Sequence, residues 1–258
     1  MILRRPLLAV MTSIVVVVAA CSSGGASKAG SGSLSLSGDV VVLAAASLTG
    51  ALTTIAQRFE DAHPGVHVRL TFDGSSRLAA EILQGVPADV FVAADEPTMT
   101  RVATGDHLAD PAVIVATNEL EIVVPQGNPL GIHGIEDLTR GPVVALCRTE
   151  VPCGAYADEA FHQAGLAVPA AGREDSVKAV LSKVQLGEAD AGIVYRTDVL
   201  GAHGVRGIEL PTVARVRAAY PAAVLRDAPN PSAATAFVTY LLARETQVVL
   251  ASEGFGPP

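Results

Sequence analysis

The stretch that decides the fold is VVVLAAASLT, residues 40–49. Its first part, residues 40–46, is an unbroken run of β-branched and small apolar residues, which predicts a strand covered on both faces. Apolar residues then recur at helical spacing as far as Phe59, and His63-Pro64-Gly65 ends this second pattern. A buried strand that turns directly into an amphipathic helix is the repeating unit of an α/β protein.

The same alternation continues along the chain. Further strands are predicted at 67–72, 89–93, 120–124, 143–146, 191–195 and 218–225, and further helices at 78–83, 155–164, 177–186 and 232–251. Strands that alternate with helices predict mostly parallel sheets flanked by helices. The length suits two such sheets, and ligands of open α/β sheets bind beyond the carboxyl ends of the strands. We therefore expect a two-lobed α/β molecule with a ligand in the cleft between the lobes.

The N-terminus has the composition of an export signal. Arg4 and Arg5 precede an apolar stretch, and small residues lead directly to Cys21. This arrangement predicts a secretory signal peptide at residues 1–20, because the apolar stretch is too short to span a membrane. The cysteine resembles that of a bacterial lipobox, so we expect Cys21 to carry lipid. Residues 21–38 are rich in Ser, Gly and Ala and predict a flexible tether to the outer face of the cell membrane.

The remaining composition excludes several classes of partner. The chain has a formal charge of −8, which becomes −10 without residues 1–20, and it contains only three lysines. No basic patch is visible, which argues against nucleic acid as a partner. Cys147 and Cys153 form an even pair in an oxidising compartment and predict a disulfide; two buried thiols remain the alternative. The histidines are scattered, so no metal site is predicted.

Serines stand at two neighbouring strand-to-helix turns. Ser47 follows the strand at 40–46, where it is predicted to be a helix N-cap, and Ser75 follows the strand at 67–72. Serine is an ordinary helix cap, and one such residue would mean little. Two adjacent turns, however, each offer a hydroxyl and free backbone amides, and helix N-termini favour anions. The pair predicts an anion site.

Three features of the second half extend this site. Val151-Pro152-Cys153-Gly154 begins one helix, Val177 begins another, and Tyr195 ends a strand. Each has an ordinary interpretation as a proline turn, a capped helix or a core tyrosine. Together with the two serines they describe a pocket of neutral hydrogen-bond donors without a cationic side chain.

The chain resembles the molybdate-binding family of type II periplasmic solute-binding proteins over almost its whole length after the tether. The resemblance is carried by residues 44–49 (AAASLT), 74–79 (GSSRLA), 85–95 (GVPADVFVAAD), 151–157 (VPCGAYA) and 192–195 (GIVY). It implies a protein that is not an enzyme, needs no cofactor, and binds molybdate or tungstate for the permease and ATPase of an ABC transporter. We expect it to be a monomer.

The resemblance also implies the roles of the site residues. Ser47 and Ser75 would donate through hydroxyl and amide, Cys153 and Val177 through their amides, and Tyr195 through its hydroxyl. Cys153 stands where alanine is usual, and the role of its amide would survive that change. The predicted lobes are residues 39–119 plus 213–258 and residues 120–212. Asp73 would repel an anion, so we expect it to face solvent or to cap the following turn.

Three alternatives stay open at this point. Another ligand, such as sulfate, phosphate or a small organic acid, would suit the same fold, and Arg77 and Arg148 lie close enough in sequence to bind a carboxylate. We expect neither arginine to contact the ligand. A secreted hydrolase is disfavoured because no G-x-S-x-G motif surrounds either serine and no P-loop is present. A purely structural surface lipoprotein is the third alternative.

Overall fold

A computed structural model describes residues 35–258. The predictions for the signal peptide, for Cys21 and for most of the tether lie outside these residues. The strands are β1 Gly38–Ala45, β2 Val66–Asp73, β3 Val90–Val92, β4 Val113–Pro125, β5 Val144–Cys147, β6 Gly172–Glu174, β7 Ala191–Tyr195, β8 Val205–Glu209 and β9 Arg217–Val224. The helices are α1 Thr49–Ala62, α2 Ser75–Leu83, α3 Glu96–Thr104, α4 Pro152–Ala164, α5 Val177–Gln185, α6 Arg196–Leu200, α7 Pro231–Leu241 and α8 Arg244–Ser252.

The strands form a mixed sheet in the order β2-β1-β3-β9-β4-β7-β5-β6, with β8 also paired to β4. In the first half, β1 pairs in parallel with β2 and β3. In the second half, β5 pairs in parallel with β6 and β7. Each half is therefore built on the parallel strand-and-helix units that the sequence predicts, and the molecule has the expected two-lobed α/β fold.

Antiparallel strands connect the two halves. The first part of β4 pairs with β9 as far as Glu119, and from Leu120 onward β4 pairs with β7 and then β8. A single strand thus contributes to both halves of the sheet. The exact lobe boundaries remain a prediction.

The core of the first half lies on both faces of its sheet. Alternate residues of β1 point to opposite faces, so Val42 packs in the cluster that contains Phe59 of α1, whereas Leu43 packs in the cluster that contains Leu78 of α2. This two-sided burial explains why residues 40–46 are apolar without alternation.

Several elements differ from the sequence prediction. The strand predicted at 120–124 begins much earlier, at Val113, and the helix predicted at 232–251 is two helices, α7 and α8. Helix α4 starts at Pro152, three residues before the helical pattern at 155–164 but within the helix start predicted at residues 151–154. Helices α3 and α6 and strands β6 and β8 have no counterpart in the prediction. No helix within residues 35–258 has the length and apolarity needed to cross a membrane.

Candidate anion-binding site

A cavity lies where the carboxyl ends of β1, β2 and β7 meet the beginnings of α4 and α5. It is lined by Ala45, Ala46, Ser47, Asp73, Gly74, Ser75, Ala94, Val151, Pro152, Cys153, Val177 and Tyr195. The structure therefore brings together all five candidate site residues from both halves of the chain. Among these lining residues there is no lysine, arginine or histidine.

Ser47 does not have the predicted position. It lies inside a short 3-10 turn, Ala46–Leu48, and helix α1 begins only at Thr49 with Leu48 as its N-cap. Its hydroxyl makes no cap and lies 2.9 Å from the Tyr220 hydroxyl instead. The N-cap prediction is wrong because the extra turn shifts the helix start beyond the serine and leaves its hydroxyl free for a tertiary contact.

Ser75 is the first residue of helix α2, as the sequence suggests. It is buried, and its Oγ accepts a hydrogen bond of 3.0 Å from the amide of Ala94, which follows β3. A hydroxyl that already accepts from an amide keeps its own proton available for another partner. The serine is thereby held at the cavity wall as a donor.

Two helix starts contribute from the second half. Pro152 is the first residue of α4 and has no amide hydrogen, so Cys153 supplies the first N–H of that helix. Val177 is the first residue of α5, behind the capping side chain of Ser176. The first amides of a helix have no intrahelical acceptor, and the helix dipole makes this end electropositive. Cys153 and Val177 both line the cavity.

Cys147 and Cys153 are joined by a disulfide, with their Cα atoms 5.8 Å apart. Cys147 is the last residue of β5, and both cysteines are buried. The bond ties the end of a core strand to the helix start that presents the Cys153 amide. Gly154 completes this turn, because a side chain there would overlap the carbonyl oxygen of Arg148.

Tyr195 ends strand β7 and is 1% exposed. Its hydroxyl is buried at the cavity and has no hydrogen-bond partner in residues 35–258. Burial raises the pKa of Tyr195 well above its ordinary value, so the hydroxyl keeps its proton. A buried hydroxyl without a partner costs about 1–3 kcal/mol, and buried polar groups nearly always have a partner. This hydroxyl is therefore available to donate to a group in the cavity.

The charged residues near the cavity are neutralised within the protein. The sequence predicts that Asp73 faces solvent or caps the following turn, but it lines the cavity and makes no side-chain cap on α2. Its carboxylate accepts from the Gly74 amide at 2.7 Å and pairs with Arg77 at 3.2 Å. Arg148 pairs with Asp175 at 3.1 Å. The Arg77 and Arg148 side chains are 66% and 58% exposed and do not line the cavity. Neither is placed to bind a carboxylate ligand there.

An ion pair between a half-exposed lysine and a buried aspartate lies beside the second half of the site. The Asp198 side chain is fully buried and lies 2.8 Å from the Nζ atom of Lys178, the second residue of α5. Its other oxygen accepts from the Tyr195 amide at 3.2 Å. Burial raises the pKa of Asp198, and the Lys178 ammonium opposes that shift. The pair connects the turn after Tyr195 with the start of α5, and sequence reasoning missed it because its members lie in different elements.

The two halves touch directly beside the cavity. The Ser76 hydroxyl of α2 donates to the carbonyl oxygen of Glu150, and Gly74 lies so close to the Asp175 carbonyl that an added Cβ atom would overlap it. The two halves are therefore in direct contact at the edge of the cavity. In residues 35–258 no cluster of three or more His, Cys, Asp or Glu side chains could hold a metal ion.

This fold and this site define a class of protein that closes two lobes around a small solute. The family of bacterial extracellular solute-binding proteins matches residues 40–256, and the chain belongs to it. The molybdate-binding protein ModA of Mycobacterium tuberculosis H37Rv is 40% identical over 221 residues, which cover 85% of each chain.

Solved structures share the fold at lower identity. The periplasmic molybdate-binding protein of Azotobacter vinelandii superposes with a TM-score of 0.74 at 19% identity, covering 85% of this chain and 99% of that one. The sulfate-binding protein SubI of Mycobacterium tuberculosis gives a TM-score of 0.75 at 20% identity, covering 85% and 86%. Since proteins named for two different oxyanions share the fold, the ligand has to be argued from the site.

Proposed function

We propose that this chain captures molybdate, and tungstate with it, outside the cytoplasm and delivers the oxyanion to the permease of an ABC importer. A lipid on Cys21 would anchor it to the cell membrane as a monomer. Its membership of the solute-binding family and its similarity to proteins named ModA support this function. The sequence pattern of residues 1–38 supports the location.

The observation that carries the proposal is the Tyr195 hydroxyl, which has no hydrogen-bond partner in residues 35–258 and lies at a cavity whose only charged lining residue, Asp73, is paired with Arg77. A buried dianion is costly unless its oxygens are hydrogen-bonded. The hydroxyls of Ser47, Ser75 and Tyr195 and the amides of Cys153 and Val177 would supply those bonds. Such donors give partial positive charge with little reorganisation.

Size would separate molybdate and tungstate from sulfate. The donors come from both halves of the cleft, so a larger tetrahedral anion would reach all of them at once, whereas a smaller one would leave some without a partner. An unpaired buried donor costs about 1–3 kcal/mol. The bound anion would also hold the halves together, and the closed form is the one that a permease would recognise.

Isothermal titration tests this proposal directly. The chain without its predicted signal peptide and Cys21 would be titrated with molybdate and tungstate, with sulfate and phosphate as comparison ligands. We expect saturable binding of one molybdate or tungstate per chain and much weaker binding of the other two. If the chain bound sulfate or phosphate but not molybdate, the cavity would still be an anion site, and the assignment of molybdate as its ligand would be wrong.

Replacing Tyr195 by phenylalanine is expected to lower the affinity for molybdate without lowering the stability of the ligand-free protein. The variant loses one hydrogen bond to a charged ligand, worth about 1.5–3 kcal/mol, so molybdate affinity should fall roughly 10- to 100-fold. The ligand-free protein should melt at the same temperature or higher, because the buried hydroxyl has no partner to lose. Titration and thermal unfolding measure the two effects.

Tyr240→Phe is the matched control for this substitution. Tyr240 lies on α7 and does not line the cavity, so its hydroxyl should have no effect on molybdate affinity. If Tyr195→Phe bound molybdate as tightly as the wild-type chain, the unpartnered hydroxyl would not be a ligand donor.

A further inference from the structure

The direction of the hydrogen bond between Ser47 and Tyr220 can be derived from the groups around it. We propose that Tyr220, held by Asn118, is a positioning residue that turns the Ser47 proton toward the cavity. Ser47 lines the cavity, whereas Tyr220 and Asn118 do not. The proposal rests on the proposed function and assigns to that site a specificity determinant outside its lining.

The orientation of the Asn118 amide is set by the backbone. Its Oδ1 atom accepts a hydrogen bond of 2.9 Å from the Glu119 amide, which places Nδ2 on the opposite side. Nδ2 lies 2.9 Å from the Thr197 Oγ1 and 3.3 Å from the Tyr220 hydroxyl. An amide nitrogen only donates. Tyr220 therefore accepts a hydrogen bond from Asn118.

The Tyr220 hydroxyl then has one acceptor available for its proton. Tyr220 is 0% exposed, and in residues 35–258 the hydrogen-bond partners of its hydroxyl are Asn118 Nδ2 and, at 2.9 Å, Ser47 Oγ. Because Nδ2 has no lone pair to offer, the Tyr220 hydroxyl donates to Ser47. The opposite direction would leave a buried proton without an acceptor, at a cost of about 1–3 kcal/mol. Burial also raises the pKa of Tyr220, so this proton stays in place.

Ser47 is thus an acceptor toward the protein and a donor toward the cavity. Ser75 has the same arrangement, since its Oγ accepts from the Ala94 amide. Tyr195 has a proton and no hydrogen-bond partner among the described residues, 35–258. Three hydroxyl protons are therefore directed at the cavity before a ligand arrives, which is the preorganisation that a fully deprotonated oxyanion requires.

The packing of Tyr220 allows its hydroxyl to be removed without changing the contacts of its ring. Its ring packs edge-on against Phe255 at 5.4 Å and lies 5.9 Å from the Tyr195 ring. Phenylalanine keeps these contacts and removes only the hydroxyl. Ser47 would then be free to rotate and to accept a hydrogen bond from a ligand. We expect molybdate affinity to fall about 3- to 10-fold, while phosphate, which carries a proton near neutral pH, should not lose affinity.

A double-mutant cycle provides the test, with affinities for molybdate from isothermal titration. Tyr220→Phe should weaken binding in the wild-type chain and in the Ser75→Ala chain, but it should add nothing in the Ser47→Ala chain, because the hydroxyl that it orients is absent there. Asn118→Ala should likewise weaken molybdate binding only when Ser47 is present. This variant replaces Tyr220→Phe in the cycle if Tyr220→Phe does not fold. Thermal unfolding of each variant reports folding separately.

The outcomes distinguish this inference from the proposed function. Equal losses from Tyr220→Phe with and without Ser47, or no loss in either, would overturn the positioning role. If the wild-type chain did not bind molybdate, the proposed function would fail and the inference with it. If it bound molybdate but Ser47→Ala had no effect, Ser47 would not be a ligand donor, and only the inference would fall.

Discussion

A Gly74→Ala chain is expected to bind molybdate about 100-fold more weakly than the wild-type chain. An added Cβ atom at Gly74 would overlap the carbonyl oxygen of Asp175 and come within 3.7 Å of a Val151 methyl group, both on the opposite half of the cleft. The cleft could then not close fully. A closed fraction reduced to about 1% lowers the apparent affinity by the same factor.

The stability of the Gly74→Ala chain should hardly change. Gly74 has φ −59° and ψ 131°, which any residue adopts, so the substitution strains closure and not the backbone. Gly127→Ala is the matched control, because a Cβ atom there meets nothing within 4 Å. Isothermal titration and thermal unfolding of both variants make the comparison. Wild-type affinity in Gly74→Ala would mean that binding does not need this close approach.

Removing the disulfide is expected to lower both stability and affinity. The Cys147→Ala/Cys153→Ala chain loses a crosslink over a sequence separation of 6 residues, worth about 2 kcal/mol in the chain-entropy description. For a chain of this size the melting temperature should fall by about 4–8 °C. Molybdate affinity should fall by about tenfold, because the Cys153 amide would have to be ordered on binding.

Reductant gives an internal control for this prediction. Treating the wild-type chain with a thiol reductant should reproduce the loss of affinity and of melting temperature, whereas the double variant should not respond. Thermal unfolding and titration with and without reductant measure this. An unchanged affinity in the double variant would show that the strand and helix hold the Cys153 amide without the crosslink.

The sequence could place four of the candidate site residues because their positions follow local patterns. Ser75, Cys153 and Val177 each stand at the start of a helix that follows a strand, and Tyr195 ends a buried strand. Such turns carry free amides whatever the rest of the fold is. The environment of Ser47 was not predictable in this way, because its partner Tyr220 lies 173 residues away in the sequence.

The errors in the fold have the same origin. The apolar pattern of residues 232–251 continues through the break between α7 and α8, where no glycine or proline marks an end. The break is stabilised by Gln247, whose side-chain amide donates to the carbonyls of Leu241 and Val115. A carbonyl at a helix end needs such a partner, and here the side chain that supplies it also reaches across to β4.

The sequence by itself determined the alternation of strands and helices and the placement of hydroxyls and amides where strands end and helices begin. These properties depend on side-chain period and on helix geometry, which act over a few residues. Only the tertiary structure decided that the two halves meet at one cavity, that Tyr195 lies there without a hydrogen-bond partner in residues 35–258, and that Tyr220 lies beside Ser47. A hydroxyl can donate or accept, and which it does depends on neighbours such as Asn118 and Tyr220, which distant strands bring to it.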